Sequence, residues 1–448
     1  MQRTPAPFGF TENLRGWVVF KEEKGAVFEA WGCEAGGSSI IHETGARASE
    51  LWSRVAATGG YCVAIPLHWR ALPTGIDLQV HLRYPGQDSK EVLAGGLDSA
   101  LAGGFDSILT MPNTNPFLDN STALKHALEA LKVESAGKWP VEVLFSVAGS
   151  VDMKGGAATD IAGLVAAGAV AVTDDGWGVA SDTVMEEIFK RCAAAGVPFL
   201  QHAEIPGHRG VTPASEFQRR EGLPEYPRTA ESGMVARDVA LLRRVPGARY
   251  HVLHISTRDT LKEIEKAKRD GLAITCEVTP HHLFFSNADI PPEAAGALST
   301  GFKMNPPLFD PEDRAALVSA LESGLIDFMS TDHAPHEAKN KAQGWKLAPF
   351  GTRGLVTALP VLLTLVARGD LSWNRLEEVF SSRARKFIGV SRVAAPSGLL
   401  FVDPSAKWVV TEKDLPGISK NSCFLGSELK GRIEIRCEKN GVYRRVEC

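Results

Sequence analysis

The residues best suited to chemistry stand where five short apolar runs give way to loops: His81, Asp174 and Asp175, His202, His254, and Asp332 with His333 and His336. Imidazole and carboxylate donors without thiolates suit Zn²⁺, with Mn²⁺ or Co²⁺ as alternatives. A cation held this way acidifies water and polarises a carbonyl, so hydrolysis is the natural task. One histidine at the end of a strand is usually a buried, hydrogen-bonded residue. Five His or Asp positions on one rim are hard to reach by accident, and the metal reading wins.

The rim must be built by the runs that precede these residues. They cover 76–80, 107–111, 141–146, 169–173, 198–201, 250–253, 273–278 and 326–330. Helix-like stretches alternate with them, for example 183–195, 257–270 and Pro311–Ser323. In the last, Pro311, Glu312 and Asp313 suit a helix start and Gly324 its end. Eight strands alternating with helices predict an α/β fold, a (β/α)₈ TIM-type barrel with its chemistry at the C-terminal strand ends. The first run is followed by His81, the fourth by Asp174 and Asp175, and the eighth by Asp332, His333 and His336. His202 and His254 end the fifth and sixth, and Glu277 closes the seventh.

The flanks read differently. Short β-like pieces at 399–402, 408–410 and 432–436, with others before residue 70, predict a small β-sandwich module built from both chain ends. The expected division is 1–70 for its N-terminal part, 71–394 for the barrel and 395–448 for its C-terminal part. The Gly-rich stretch 29–58 resists assignment.

Bulk properties exclude several classes. The 448 residues carry a net charge of −4, which gives no field for holding nucleic acid or an anionic membrane. No apolar run is long enough to span a bilayer, and the N-terminus lacks the apolar core of a secretory signal. Seven scattered cysteines without paired spacing argue against a disulfide framework and for a reducing cytoplasm.

Several blocks resemble those of class I dihydroorotases, in the amidohydrolase superfamily. Asp77-Leu78-Gln79-Val80-His81-Leu82-Arg83, then Pro85-Gly86, is similar to the first-strand signature. Met111-Pro112-Asn113-Thr114-Asn115-Pro116, Thr173-Asp174-Asp175-Gly176 and Thr279-Pro280-His281-His282-Leu283 follow in the family's order. So do Lys303-Met304-Asn305-Pro306-Pro307-Leu308, Thr331-Asp332-His333-Ala334-Pro335-His336 and Ala348-Pro349-Phe350-Gly351. The likeness runs from about residue 73 to the C-terminus, where Ser419-Lys420-Asn421 and 426–431 also look familiar. The first 70 residues resemble the family poorly.

The resemblance implies reversible hydrolysis of the ring amide of L-dihydroorotate to N-carbamoyl-L-aspartate in de novo pyrimidine biosynthesis. His81 and Asp332 would hold one metal, His202 and His254 a second, and Asp175 would bridge them. Residues 169–175 contain no lysine of the kind hydantoinases carboxylate for that role, which disfavours hydantoinase and allantoinase. Arg83, Asn113 and His336 would hold the substrate carboxylate, a fork of donors onto an anion. A surface salt bridge is the rival reading of Arg83. Asn305 and the backbone at Phe350 and Gly351 would meet the ring amide, although Asn305, ahead of two prolines, also suits a turn. Asp332 would take the proton of the attacking water and deliver it to the leaving nitrogen. His282 and His333 would support the ligands through hydrogen bonds, and Asp174 would face away from them.

One departure matters. The family's first strand ends His-x-His, and here it ends Gln79-Val80-His81. Gln79 keeps the inward direction but offers only a neutral amide oxygen. Three readings stay open: two metals with one held weakly, one metal, or a non-catalytic scaffold supporting aspartate carbamoyltransferase. Homo-oligomerisation is also open. Phe309, where the family usually has Arg, is expected to alter loop packing only.

Overall fold

The apolar runs become strands because both faces of each are covered. In the computed structural model, which describes residues 8–12, 16–34, 39–208, 210–389, 396–438 and 441–445, the chain begins with β1 (Phe8–Glu12), β2 (Gly16–Glu23), β3 (Ala26–Glu34), β4 (Ile41–Thr44), β5 (Tyr61–Ala64) and β6 (Arg70–Pro73). The barrel strands follow: β7 (Gly75–Val80), β8 (Phe105–Thr110), β9 (Glu142–Val147), β10 (Ala171–Thr173), β11 (Phe199–Gln201), β12 (Tyr250–Val252), β13 (Ile274–Val278) and β14 (Phe328–Met329). All eight expected runs are strands, within two residues at each end. They form one parallel sheet in sequence order, and a parallel bridge between Val80 and His333 joins its two edges into a barrel. β7 and β8 are buried along their whole length, which is why they read as near-continuous apolar runs.

The helices between them follow their sequence signals. Pro311–Ser323 starts on the Asp310 carboxylate, which accepts from the Asp313 N–H, and has Pro311 in its first turn. It stops at Gly324 in the left-handed conformation.

The chain ends meet in two further sheets. One has the order β1-β17-β16-β15-β6, with β15 (Gly398–Val409), β16 (Glu428–Glu438) and β17 (Gly441–Arg445); the other has the order β4-β3-β2-β5. They pack face to face through Trp17, Val19, Trp31 and Val63 on one side and Phe401, Ile435 and Cys437 on the other. Trp17 Nε1 donates to the Glu438 carbonyl at 2.8 Å, which ties the two ends of the chain together. The outer face of the four-stranded sheet is covered by the helix Ala46–Ala57 through Ala48, Leu51 and Val55. The stretch 29–58 is therefore the end of β3, then β4 and this helix, with 35–38 outside the described residues. The cysteines at 62, 192, 276, 423 and 437 are free thiols.

Candidate metal and substrate site

Closure of the barrel assembles the site. The His81 N–H donates to the His333 carbonyl at 2.8 Å, which brings the end of β7 against the loop after β14. His81 Nε2 then lies 3.0 Å from Asp175 Oδ2 and 3.1 Å from Asp332 Oδ1. On the other side of Asp175, His202 Nδ1 lies 3.6 Å and His254 Nε2 3.8 Å from Oδ1, and the two imidazole nitrogens are 2.9 Å apart. Two donor groups result, His81 with Asp175 and Asp332, and Asp175 with His202 and His254. Asp175 belongs to both.

These atoms converge as cation ligands do. Asp175 Oδ2 sits within ion-pair distance of His81 yet makes no hydrogen bond. Burial alone would lower the His81 pKa, but the Asp175 carboxylate outweighs it and raises it to about 9. Asp175 itself is pushed well below the ordinary carboxylate range: burial opposes this, and the His81 charge and the three imidazoles outweigh it. The pocket is built for positive charge, and its nitrogen and oxygen donors fit a divalent metal.

The outer nitrogens are fixed as well. His81 Nδ1 donates to Asn113 Oδ1 at 3.0 Å, leaving Nε2 turned to the carboxylates. Asn113 Nδ2 donates to the Asp175 carbonyl at 3.3 Å, so both ends of this amide are engaged within the protein. His202 Nε2 lies 2.9 Å from Glu204 Oε2, which also accepts from Asn305 Nδ2 at 2.6 Å. Burial would raise the Glu204 pKa, but the His202 contact outweighs it and takes it down to about 2. Sequence reasoning missed Glu204; its place two residues after His202 was the available signal. Gln79 points inward, donating from Nε2 to Asp175 Oδ1 at 3.3 Å, and its Oε1 is buried without a partner. Asp174 faces away and accepts from the Gly149 and Ser150 N–H groups at 2.8 and 3.0 Å. His333 and His282 lie further out: His333 Nδ1 accepts from Gly354 N–H, and His282 lies against Thr279 and the Pro307 carbonyl.

A cavity of about 170 Å³ opens over these groups, the scale of a small ring compound. All the expected metal and substrate residues line it: His81, Arg83, Asn113, Asp175, His202, His254, Asn305, Asp332, His336, Phe350 and Gly351. Arg83 is buried; its Nε donates to the Pro335 carbonyl at 3.1 Å and its Nη2 lies 3.1 Å from His336 Nε2. Burial lowers its pKa to about 10. Among the described residues no carboxylate pairs with it, so the surface salt bridge is ruled out. His336 Nε2 is also 2.7 Å from the Phe350 carbonyl, and burial lowers its pKa to about 2, so the ring is neutral. Asn305 Oδ1 is buried without a partner. Arg83, His254 and Asp332 have φ of 62°, 32° and 47°, a region that side chains other than glycine seldom occupy. Three such residues around one cavity make it the candidate functional site.

Comparison with known proteins agrees. The profile of the family described as Dihydro-orotase-like matches residues 70–260. A dihydroorotase from Bacillus caldolyticus is 39% identical over 367 residues, covering 80% of this chain and 84% of that protein. The chain belongs to the dihydroorotase family. A dihydroorotase from Anaplasma phagocytophilum is 37% identical, covering 83% of each chain. In structure, an L-hydantoinase from Arthrobacter aurescens superposes over 96% of each chain with a TM-score of 0.77 and 24% identity. A dihydroorotase from Saccharomyces cerevisiae, solved with 5-fluoroorotic acid, gives 0.64 at 20% identity, covering 82% of this chain and 99% of that one. Both likenesses concern the fold.

Proposed function

We propose that this chain is a dihydroorotase, opening the ring amide of L-dihydroorotate reversibly to N-carbamoyl-L-aspartate in de novo pyrimidine biosynthesis. The observation that carries the substrate class is Arg83, a buried guanidinium without an acid partner in a cavity beside two metal-type donor groups. Asp332 and Asp175 act on its charge from beyond ion-pair distance, and a buried guanidinium without a direct partner is costly, so a ligand carboxylate is the fitting counterpart. Curated relatives named dihydroorotase over most of the chain support the same reading.

In this reading His81, Asp175 and Asp332 would hold one divalent cation and Asp175, His202 and His254 a second, with Zn²⁺ suiting the donors best. When bound, such a cation supplies an acidified water and a polarised carbonyl. Arg83 and His336 bind the carboxylate. Asn305 offers Oδ1 to a ring N–H, and the backbone of Phe350 and Gly351 meets the ring amide. Asp332 accepts the proton of the attacking water on its carboxylate and passes it to the leaving ring nitrogen. Asn113 orients His81, and its part in carboxylate binding is the weaker element of the set, since its own hydrogen bonds are made. Free buried thiols suit a reducing cytoplasm, and no helix among the described residues is long and apolar enough to cross a membrane. Gln79 is the one feature favouring a non-catalytic scaffold; the complete set of cavity residues speaks against it.

The test is turnover of L-dihydroorotate by the purified protein, with elemental analysis of the same sample. Ring opening with bound zinc is expected. Absence of turnover at every metal loading would overturn the proposal.

A further inference from the structure

Two buried lysines, Lys303 and Lys341, stand behind the Phe350–Gly351 wall of the cavity, and the chemistry above does not use them. Among the described residues neither has a carboxylate within salt-bridge distance. Lys303 Nζ donates to the Trp345 and Ala348 carbonyls at 2.5 and 2.6 Å and lies 4.7 Å from the centre of the Phe350 ring. Lys341 Nζ donates to the Pro349 and Gly351 carbonyls at 3.1 and 2.9 Å and to the Lys303 carbonyl at 3.3 Å. The Gly351 N–H returns to the Lys303 carbonyl at 2.9 Å. Taking two ammonium groups out of water without an acid is expensive, and four of the five carbonyls they hold belong to residues 345–351.

The geometry of the peptide unit says what that achieves. In a planar trans peptide the C=O and N–H point in opposite directions. Lys341 draws the Pro349 carbonyl to itself, which turns the Phe350 N–H away from it. Among the described residues that N–H has no hydrogen-bond partner, and Phe350 lines the cavity. The next carbonyl, Phe350 O, is held from the other side by His336.

We propose that Lys303 and Lys341 are positioning residues that clamp the 345–351 segment so that the Phe350 N–H is presented to a carbonyl oxygen of the bound ring. The proposal rests on the dihydroorotase reading for the identity of the ring. Lys341→Met keeps the bulk of the side chain and removes the donors. Its expected signature is faster hydrogen exchange of backbone amides within 345–352, by about tenfold or more, with the barrel strands unchanged. The KM for L-dihydroorotate should rise by about tenfold or more, kcat should change much less, and metal content should match the parent. If Lys341→Met does not fold, Lys303→Met, which frees the Trp345 and Ala348 carbonyls, is read in the same way. Unchanged exchange would overturn the clamp, as would faster exchange with an unmoved KM, or a loss of activity that tracks loss of metal. A parent without turnover would sink the activity reading instead, and the exchange measurement would still decide whether the lysines clamp the loop.

Discussion

Asp332 is asked to serve both as a cation ligand and as a proton carrier, and those tasks can be separated from its part in the fold. It sits 3.1 Å from His81 with φ of 47°, a conformation that Asn tolerates about as well as Asp. Asp332→Asn should therefore keep its unfolding midpoint while kcat falls by about a hundredfold or more, the usual worth of a positioned acid–base group. Steady-state kinetics beside a thermal melt check this, and turnover close to the parent's rate would refute the role. Gln79 poses the complementary question. Its Nε2 donates to Asp175 while its Oε1 is buried and unpartnered, so a donor atom already faces inward at this position. Gln79→His should retain more metal than the parent after dialysis against a mild chelator, read by elemental analysis. A modest change in turnover would mean the parent already works with its metals as they are, and a gain from an inactive parent would mean a scaffold one substitution can revive. Unchanged retention with lower activity would mean that Gln79 is a hydrogen-bonding partner of Asp175 rather than a lost ligand.

At the scale of elements, strand ends were legible because a parallel barrel covers both faces of its strands, leaving a contrast between apolar run and polar rim. The helix Pro311–Ser323 was legible for a different reason, its proline start and glycine stop. The stretch 29–58 was not. Its helix Ala46–Ala57 begins at Gly45 without a side-chain cap, and Gly32 is required by packing, since a Cβ there would meet the Trp17 carbonyl at 2.8 Å. Neither signal exists until the sheets have met. Glu204 was only partly hidden: its place two residues after His202 was a signal, but Asn305, its second partner, arrives from a distant loop. Gly351 joins loop geometry to the site: its φ is 137°, and a Cβ would lie 2.8 Å from the Ala334 Cβ and 3.0 Å from His336 Cδ2. Gly351→Ala should shift the loop off His336 and lower kcat/KM by about tenfold or more, because small misplacements are costly near reacting groups. Kinetics on a variant shown to be folded test this, and parental kcat/KM would mean the loop does not meet the substrate.

For the whole molecule, the question is what keeps the barrel and the sandwich in one piece. The two share a layer: Leu400, Val402 and Ile433 of the five-stranded sheet belong to the same core as the barrel residues Phe105 and Ile108. At the N-terminal end of β8, opposite the catalytic rim, Asp106 forms a buried pair with Arg385. It also accepts from Thr74 Oγ1 at 2.6 Å and from the Ser397 N–H at 2.7 Å, so one carboxylate gathers β8, the segment between β6 and β7, the helix Arg383–Ile388 and the approach to β15. Burial would raise its pKa, but Arg385 and these donors outweigh burial and hold it below the ordinary value. A carboxylate with a depressed folded-state pKa contributes stability that is present above its unfolded value of about 3.9 and is lost as pH falls through the folded one. Asp106→Asn takes the carboxylate away from the buried Arg385 charge, and breaking a buried ion pair by removing one partner typically costs about 3–5 kcal/mol. Denaturant unfolding at neutral pH should show that loss while kcat/KM stays at the parental value, since the pair lies at the stability face of the barrel rather than its rim. Below about pH 4 the gap between parent and variant should narrow, because protonation then removes from the parent the same charge that the substitution removed. A gap that is absent at neutral pH, or one that does not close in acid, would mean that the shared apolar layer alone joins the two parts.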